Sequence, residues 1–157
     1  MKKSGFTLVE MLITISILAI LLAIGVPSFK SAISNSNMIS NANGMIGAFN
    51  YARTEAIKRG EPVNINQVNG DWTKGIVVWA NIDAVNTMSN DEVLRVWPAF
   101  DGETTVSSTQ TTFTFNATGE VNNNDVLQIC DDRTGEKGMQ ISILISGVIF
   151  SESVTCV

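Results

Sequence analysis

The stretch that decides the fold covers residues 5–26 and reads GFTLVEMLITISILAILLAIGV. Residues 11–26 carry no formal charge, and Glu10 is the only charged side chain in residues 6–29. A helix over residues 6–29 would be roughly 36 Å long. That length is enough to cross a hydrocarbon core of about 30 Å. The sequence therefore predicts a membrane-spanning helix close to the N-terminus.

Three interpretations of this segment have to be weighed. A cleaved secretory signal would explain the basic Lys2 and Lys3, the apolar run and the small residues Ala23 and Gly25. A single-pass anchor would explain the same features, with the two lysines holding the N-terminus in the cytoplasm. Neither explains Glu10, because a carboxylate in a spanning helix costs on the order of 2.5 kcal/mol or more and needs a partner.

The order Gly5-Phe6-Thr7-Leu8-Val9-Glu10 before an uninterrupted apolar helix resembles the class III signal of type IV pilins and pseudopilins. The resemblance implies that a prepilin peptidase cuts between Gly5 and Phe6 on the cytoplasmic side and methylates Phe6. Within one helix, Phe6 and Glu10 are one turn apart. The resemblance implies instead that Glu10 pairs with the Phe6 amine of a neighbouring subunit, which would set the register between subunits as a lone polar residue does in a coiled coil.

The sequence divides into three predicted segments: a leader peptide (residues 1–5), a transmembrane and assembly helix (6–29), and a periplasmic head (30–157). Pro27 lies near the end of the second segment. On local grounds it either ends the membrane helix or kinks it around residues 23–27, because proline removes a backbone hydrogen bond and clashes with the preceding turn. The resemblance favours a helix that continues through Pro27 and bends or melts there during assembly.

The helical pattern continues beyond the membrane segment as a single apolar stripe with spacings of three and four residues. Its members are Met38, Ala42, Met45, Phe49, Ala52 and Ala56. We expect most of this stripe to pack in the core of the head. The motif YARTEA at residues 51–56 resembles the minor pilins and pseudopilins grouped as FimU, FimT and GspH. Gly60 suits a helix C-terminus, so the helix should end near residue 59.

After Pro62 the apolar residues alternate with a period of two, which is typical of strands. Strand patterns cover residues 63–66, 75–79, 93–97, 111–116, 126–129, 139–144 and 148–150, and Asn69-Gly70-Asp71 is a strong hairpin signal. The predicted fold is therefore α+β: a long N-terminal helix, half membrane-spanning and half amphipathic to about residue 59, packed on an antiparallel β-sheet over residues 61–157, as in type IV pilins.

Three tryptophans could offer a stacking platform for carbohydrate. Trp79 and Trp97 lie in strand patterns, however, and Trp72 follows the predicted hairpin turn. We expect Trp79 and Trp97 to bury against the helical stripe, because large aromatic side chains in strands are usually part of the core.

Cys130 and Cys156 are the only two cysteines. An even pair in an exported domain predicts a periplasmic disulfide. Asn and Asp side chains at residues 122–125 and Asp131-Asp132 offer oxygen ligands, but no EF-hand spacing is present, so we expect no metal site. No cofactor is predicted either.

The absence of histidine excludes Ser-His-Asp and Cys-His nucleophile systems and His-ligated zinc. The formal net charge is −5, which disfavours binding to phosphate backbones. The resemblance also includes FimT-type pilins, which bind DNA through arginines near the C-terminus. The corresponding residues 147–150 of this chain are Gly-Val-Ile-Phe and include no arginine. Arg133 and Lys137 form only a weak basic patch. We therefore expect DNA binding to be absent.

The resulting hypothesis is a minor pilin of FimU type that primes assembly or forms the tip complex of a type IV pilus, a substrate of an enzyme and not an enzyme itself. The expected partners are the prepilin peptidase, other major and minor pilins, the inner-membrane assembly platform and, before assembly, membrane lipid. The chain would lie in the bacterial inner membrane with its head in the periplasm and then in the pilus. Two alternatives stay open: a GspH-like minor pseudopilin of type II secretion and a FimT-like DNA-uptake pilin.

Overall fold

The computed structural model describes residues 7–80, 92–133, 135 and 137–156. The chain divides into two compact units, Met1–Ser36 and Asn37–Val157, which are treated separately below; the second is called the head. One helix and eight strands follow in chain order: α1 (Leu8–Arg59), β1 (Val63–Val68), β2 (Asp71–Ala80), β3 (Glu92–Trp97), β4 (Thr104–Ser107), β5 (Thr112–Phe115), β6 (Asp125–Asp131), β7 (Lys137–Ile143) and β8 (Ile149–Thr155).

Pro27 lies inside α1, and the helix continues to Arg59. The local interpretation of Pro27 as the end of the membrane helix is therefore wrong. A proline removes one backbone donor from the helical ladder, but a long helix retains the hydrogen bonds on either side. At its other end α1 finishes as expected, since Gly60 has a φ of 70° and its N–H donates to the carbonyl of Ala56 at 2.9 Å.

The head contains two four-stranded antiparallel sheets, with the orders β3-β2-β1-β5 and β4-β6-β7-β8. The seven predicted strand patterns all fall on strands of the structure, and the hairpin at Asn69-Gly70 joins β1 to β2. Two features differ from the expectation. The short strand β4 was not predicted, because its residues TTVS are mostly polar and show no apolar alternation. The predicted antiparallel β-sheet head is confirmed, but the sequence did not indicate its division into two sheets, which arises because the chain crosses from β3 to β4 and returns to β5.

The apolar stripe of α1 forms the centre of the core of the head. All six predicted members are buried, from Met38 at 3% exposure to Phe49 and Ala56 at 0%. The ring of Phe49 lies 5.1 Å from that of Phe113 and 6.0 Å from that of Trp72. Both sheets contribute to the same core, through residues that include Ile65 and Val78 from one sheet and Leu127 and Ile141 from the other. The helix therefore organises the packing of both sheets.

Trp79 does not pack against the stripe, contrary to the expectation. It is buried, but strand alternation places Ile76, Val78 and Ala80 toward the core and Trp79 on the opposite face of β2. There its indole N–H donates to Oδ1 of Asn66 at 2.9 Å. Burial alone therefore does not identify the side of a sheet on which a tryptophan lies.

The other two tryptophans do pack on the core. Trp97 is half-buried and lies against it, with its ring 5.5 Å from that of Tyr51. Trp72, for which the sequence predicted no position, is 2% exposed and joins the core beside Phe49.

Truncation of Phe49 to alanine should destabilise the head by about 3–5 kcal/mol, because it would leave a cavity where α1 meets the aromatic residues of the sheet. The measurement is denaturant unfolding of the full chain in detergent, followed by tryptophan fluorescence. Ile39→Ala is the matched control, since Ile39 lies on α1 with 54% exposure. Equal midpoints for the two variants would contradict a central role for Phe49.

Candidate assembly site

The first turn of α1 is closed by three hydrogen bonds between Thr7 and Glu10, which run in both directions. The backbone N–H and the hydroxyl of Thr7 both donate to Oε2 of Glu10 at 3.3 Å, and the N–H of Glu10 donates to the Thr7 hydroxyl at 3.3 Å. This is a capping box, which the spacing Thr-x-x-Glu could have revealed from the sequence. Gly5 and Phe6 lie outside the described residues, so the cleavage site and the Phe6–Glu10 pairing stay predictions.

The apolar half of α1 has no covering within the described structure. Every large apolar side chain at residues 8–29 is more than half exposed, from 53% at Ile17 to 76% at Leu8. The segment is long and apolar enough to cross a membrane, and none of it is buried. Two hydroxyl side chains in the middle of the segment donate to carbonyls of the same helix, Thr14 to Met11 and Ser16 to Leu12. The hydroxyl donors of Thr14 and Ser16 are therefore satisfied within the helix in a lipid or protein environment.

Cys130 and Cys156 form the predicted disulfide. The bond ties the end of β6 to the residue that follows β8, and β7 runs between these strands. Gly138 of β7 lies directly against it, because a Cβ at that position would be 2.6 Å from the carbonyl oxygen of Ile129 and would also collide with both sulfur atoms. The N–H of Gly135 donates to the carbonyl of Cys156 at 3.1 Å, which fixes the C-terminal segment further.

Arg53, the arginine of the YARTEA motif, connects α1 to two turns of the head. Its Nε donates to the carbonyl of Gly119 at 3.1 Å and its Nη2 to the carbonyl of Ser146 at 3.4 Å. Gly147 has a φ of 76°, and a Cβ there would collide with the carbonyl oxygen of Gly119. The close approach of the two turns therefore requires glycine at Gly147, and Arg53 joins both turns to α1.

The end of α1 is joined to β3 by a chain of ion pairs. Arg59 Nε lies 3.0 Å from Oε2 of Glu55, and its Nη1 lies 2.7 Å from Oε2 of Glu92. Lys58 lies 3.3 Å from the same Glu55. The hydrogen bond from Arg59 holds the pKa of Glu55 and the pKa of Glu92 below their ordinary value of 4.5. The first residue of the edge strand β3 is thus attached to the helix.

The basic patch expected at Arg133 and Lys137 is partly neutralised. Arg133 donates from Nε to Oδ2 of Asp131 at 2.8 Å. Burial opposes ionisation of Asp131, but its hydrogen bonds from Arg133 outweigh this and lower the pKa of the carboxyl. Lys137 is exposed. The stretch that corresponds to the arginines of DNA-binding relatives is apolar instead, with Val148 and Phe150 about half exposed on the hairpin between β7 and β8.

The acidic loops have structural partners. Asp125 accepts hydrogen bonds from the hydroxyls of Ser108 at 2.6 Å and Thr109 at 2.9 Å, and so fixes the turn before β5. In the described part of the chain no group of three His, Cys, Asp or Glu side chains could hold a metal ion.

A cleft of about 490 Å³ opens near Trp72 and is lined mainly by polar side chains. The hydroxyls of Thr73, Thr105 and Ser108 are engaged within the protein. Trp72 donates its indole N–H to the carbonyl of Gln110 at 3.1 Å, and its ring is buried. It offers no exposed face for stacking.

A long N-terminal helix with an uncovered apolar half, joined to a head of antiparallel sheets, defines a type IV pilin-like protein. Residues 41–147 match the family described as Type II transport protein GspH, and residues 1–26 match the prokaryotic N-terminal methylation motif. The chain belongs to the GspH family.

Two solved structures share this fold, both crystal forms of the type IV minor pilin FimU from Pseudomonas aeruginosa strain PAO1. One is 22% identical, covers 76% of this chain and 90% of that chain, and superposes with a TM-score of 0.65. The other is 24% identical, covers 72% and 90%, and has a TM-score of 0.61. A search of curated protein sequences returned no match.

Loss of the disulfide in a Cys156→Ser variant should destabilise the head by about 2–4 kcal/mol, because the unfolded chain is then less constrained. Denaturant unfolding of the wild-type chain with and without reductant measures the same loss independently. Cys156→Ser should then be insensitive to reductant. Wild-type unfolding that does not respond to reductant would contradict this expectation.

The stability of the folded head should decrease at acidic pH, because the ion pairs of Arg59 are then lost. The pKa values of Glu55 and Glu92 are lowered in the folded state, so their contribution is present above the ordinary pKa and is lost as the pH falls through the lowered values. An Arg59→Gln variant should therefore melt below the wild type at about pH 7 and approach it at about pH 3. A constant difference in melting temperature over this range would contradict the assignment; Lys74→Gln, at an exposed lysine, is the control.

Proposed function

We propose that this chain is a minor pilin of FimU type, made as an inner-membrane prepilin with its head in the periplasm and then built into a type IV pilus. Residues 1–5 would be removed by the prepilin peptidase, and residues 6–29 would hold the subunit in the membrane and then in the fibre. The chain acts as a structural subunit that primes assembly or belongs to the tip complex, and it has no catalytic activity of its own.

The observation that carries this proposal is the uncovered apolar half of α1. Its large apolar side chains point in all directions around the helix, and each is more than half exposed. A helix that is hydrophobic on all sides has to be surrounded by lipid or by other apolar helices. A pilin subunit meets both requirements in turn, first in the bilayer and then in the fibre core, which agrees with the methylation motif at residues 1–26.

The capping box gives Glu10 a defined position for subunit pairing. Thr7 holds Oε2 of Glu10, while Oε1 has no hydrogen bond within the described residues. After cleavage, the amine of Phe6 in a neighbouring subunit would supply the cation that a carboxylate in an apolar environment requires. Glu10 and Phe6 would then set the register between subunits, and Pro27 would allow α1 to bend or melt as the subunits pack.

A minor pseudopilin of type II secretion is the second candidate, since the family that matches residues 41–147 is described as a type II transport protein. Pro27 and the C-terminal cysteine pair favour a pilus subunit over a pseudopilin. Deletion of the gene separates the two functions: a pilus subunit should affect piliation and twitching motility, whereas a pseudopilin should affect export of secreted enzymes.

DNA uptake of the FimT type is the third candidate, and the charges of the head disfavour it. All four arginines lie in the described residues, and three of them are engaged with carbonyls or carboxylates of the chain: Arg53, Arg59 and Arg133. Binding to a phosphate backbone needs several free cations. Gel retardation of duplex DNA by the full chain in detergent at low salt would restore this candidate.

A Glu10→Ala variant should be incorporated into sheared pili about tenfold less than the wild type, because the carboxylate that pairs with the Phe6 amine is missing. Immunoblots of the sheared fraction, normalised to the membrane fraction, measure this. Glu61→Ala, at an exposed position after α1, is the matched control and should behave as the wild type. Mass spectrometry should find N-methylphenylalanine at the new terminus. Normal incorporation of Glu10→Ala, or an uncleaved chain in the fibre, would contradict the proposal.

A further inference from the structure

Arg95 has a different environment from the other three arginines of the chain. Its guanidinium carbon lies 4.6 Å from the ring centre of Trp97 and 5.6 Å from that of Tyr51. In the described part of the chain Arg95 forms no ion pair and no hydrogen bond through its side chain, and the residue is exposed. Its N–H donors are therefore directed to solvent, while the two rings hold the guanidinium group in place.

The rings beneath Arg95 are rigidly supported. Tyr51 and Trp97 are half-buried against the core and meet edge to face at 5.5 Å. The strand itself is held at both ends, by the ion pair of Glu92 with Arg59 and by the close approach of Gly75 to Trp97. A Cβ at Gly75 would lie 2.7 Å from the carbonyl oxygen of Trp97. The cluster of Tyr51, Arg95 and Trp97 is thus preorganised before any partner arrives.

Among the described residues, β3 also has an unpaired edge. It is the first strand of its sheet, pairs with β2 on one side, and has no further backbone partner among the described residues. Val93 and Val96, on the opposite face of β3 from Arg95, are 50% and 59% exposed. A strand added at this edge would therefore meet a cation on one face of the sheet and two valines on the other.

We propose that β3 is a docking edge for an extended segment of a neighbouring pilin head, with an Asp or Glu of that segment paired to Arg95. This inference rests on the proposed pilin function. The planar guanidinium group presents two parallel donors, which fit a carboxylate in bidentate geometry. Tyrosine, tryptophan and arginine are the residues that most often dominate binding energy at protein interfaces. The apolar residues of the added segment would contact Val93 and Val96.

Charge complementarity favours a protein carboxylate over a nucleic-acid phosphate backbone. One unpaired guanidinium group matches one carboxylate, whereas a polyanion requires a row of cations. The described residues around Arg95 provide no such row, since Arg59 is paired with Glu55 and Glu92. The whole chain carries a formal charge of −5, which repels a polyanion further.

The test compares incorporation of full-length variants into sheared pili. Arg95→Glu should reduce incorporation roughly tenfold, because a like charge replaces the salt-bridge partner. Arg95→Lys should give an intermediate level, because lysine keeps the positive charge but loses the bidentate geometry and the stacking on the two rings. Lys74→Glu is the matched control for charge, since Lys74 is exposed on the neighbouring strand β2. Thermal unfolding of each chain in detergent should stay unchanged, which separates docking from a purely structural role; Arg95→Gln replaces Arg95→Glu if the latter fails to fold.

A photo-crosslinker at Val96 identifies the occupant. The expected product joins this chain to another pilin through a segment that contains Asp or Glu, and Arg95→Glu should abolish it. Incorporation of Arg95→Glu at the wild-type level, or a cross-link only to nucleic acid or to a segment without a carboxylate, would overturn the inference alone. Absence of the wild-type chain from pili would instead overturn the proposed function and this inference with it.

Discussion

The packing of one helical stripe against two sheets is the interaction on which the head depends. Phe49 and its neighbours on α1 are buried among residues from both sheets, so the sheets share one core through the helix. Two arginines fix the C-terminal end of α1 to the sheets. Arg53 donates to the carbonyls of Gly119 and Ser146, and Arg59 forms an ion pair with Glu92.

The same helix behaves differently in its N-terminal half. There the apolar side chains surround the helix and remain exposed, and the charge of Glu10 is engaged only by Thr7 within the described residues. Hydrophobic burial contributes roughly 25 cal/mol per Å² of apolar surface removed from water. Burial of this uncovered apolar surface in lipid or against other apolar helices would therefore be strongly favourable. The assignment to the GspH family and the methylation motif agree with a helix whose C-terminal half packs in the head and whose N-terminal half is apolar on all sides.

Most of the elements followed from local patterns. The spacing of Met38, Ala42, Met45 and Phe49 indicates the buried face of α1, because three- and four-residue steps return to one side of a helix. Alternation indicated seven of the eight strands. β4 was missed because strand formation there depends on pairing with β6 and not on its own polar residues. The face of Trp79 was predicted incorrectly, since alternation tells which residues share a face but not which face meets the helix.

The sequence by itself determined an N-terminal helix that is long and apolar enough to cross a membrane, the methylation motif, the amphipathic continuation of the helix and the pairing of the only two cysteines. These features depend on composition, order and short-range periodicity. Only the tertiary structure decided that the strands form two sheets, that Gly147 lies against the carbonyl of Gly119, and that Arg95 lies over two rings on the strand β3. The physical reason is that these contacts join residues distant in the chain, and a pattern along the chain carries no information on which distant residues approach each other.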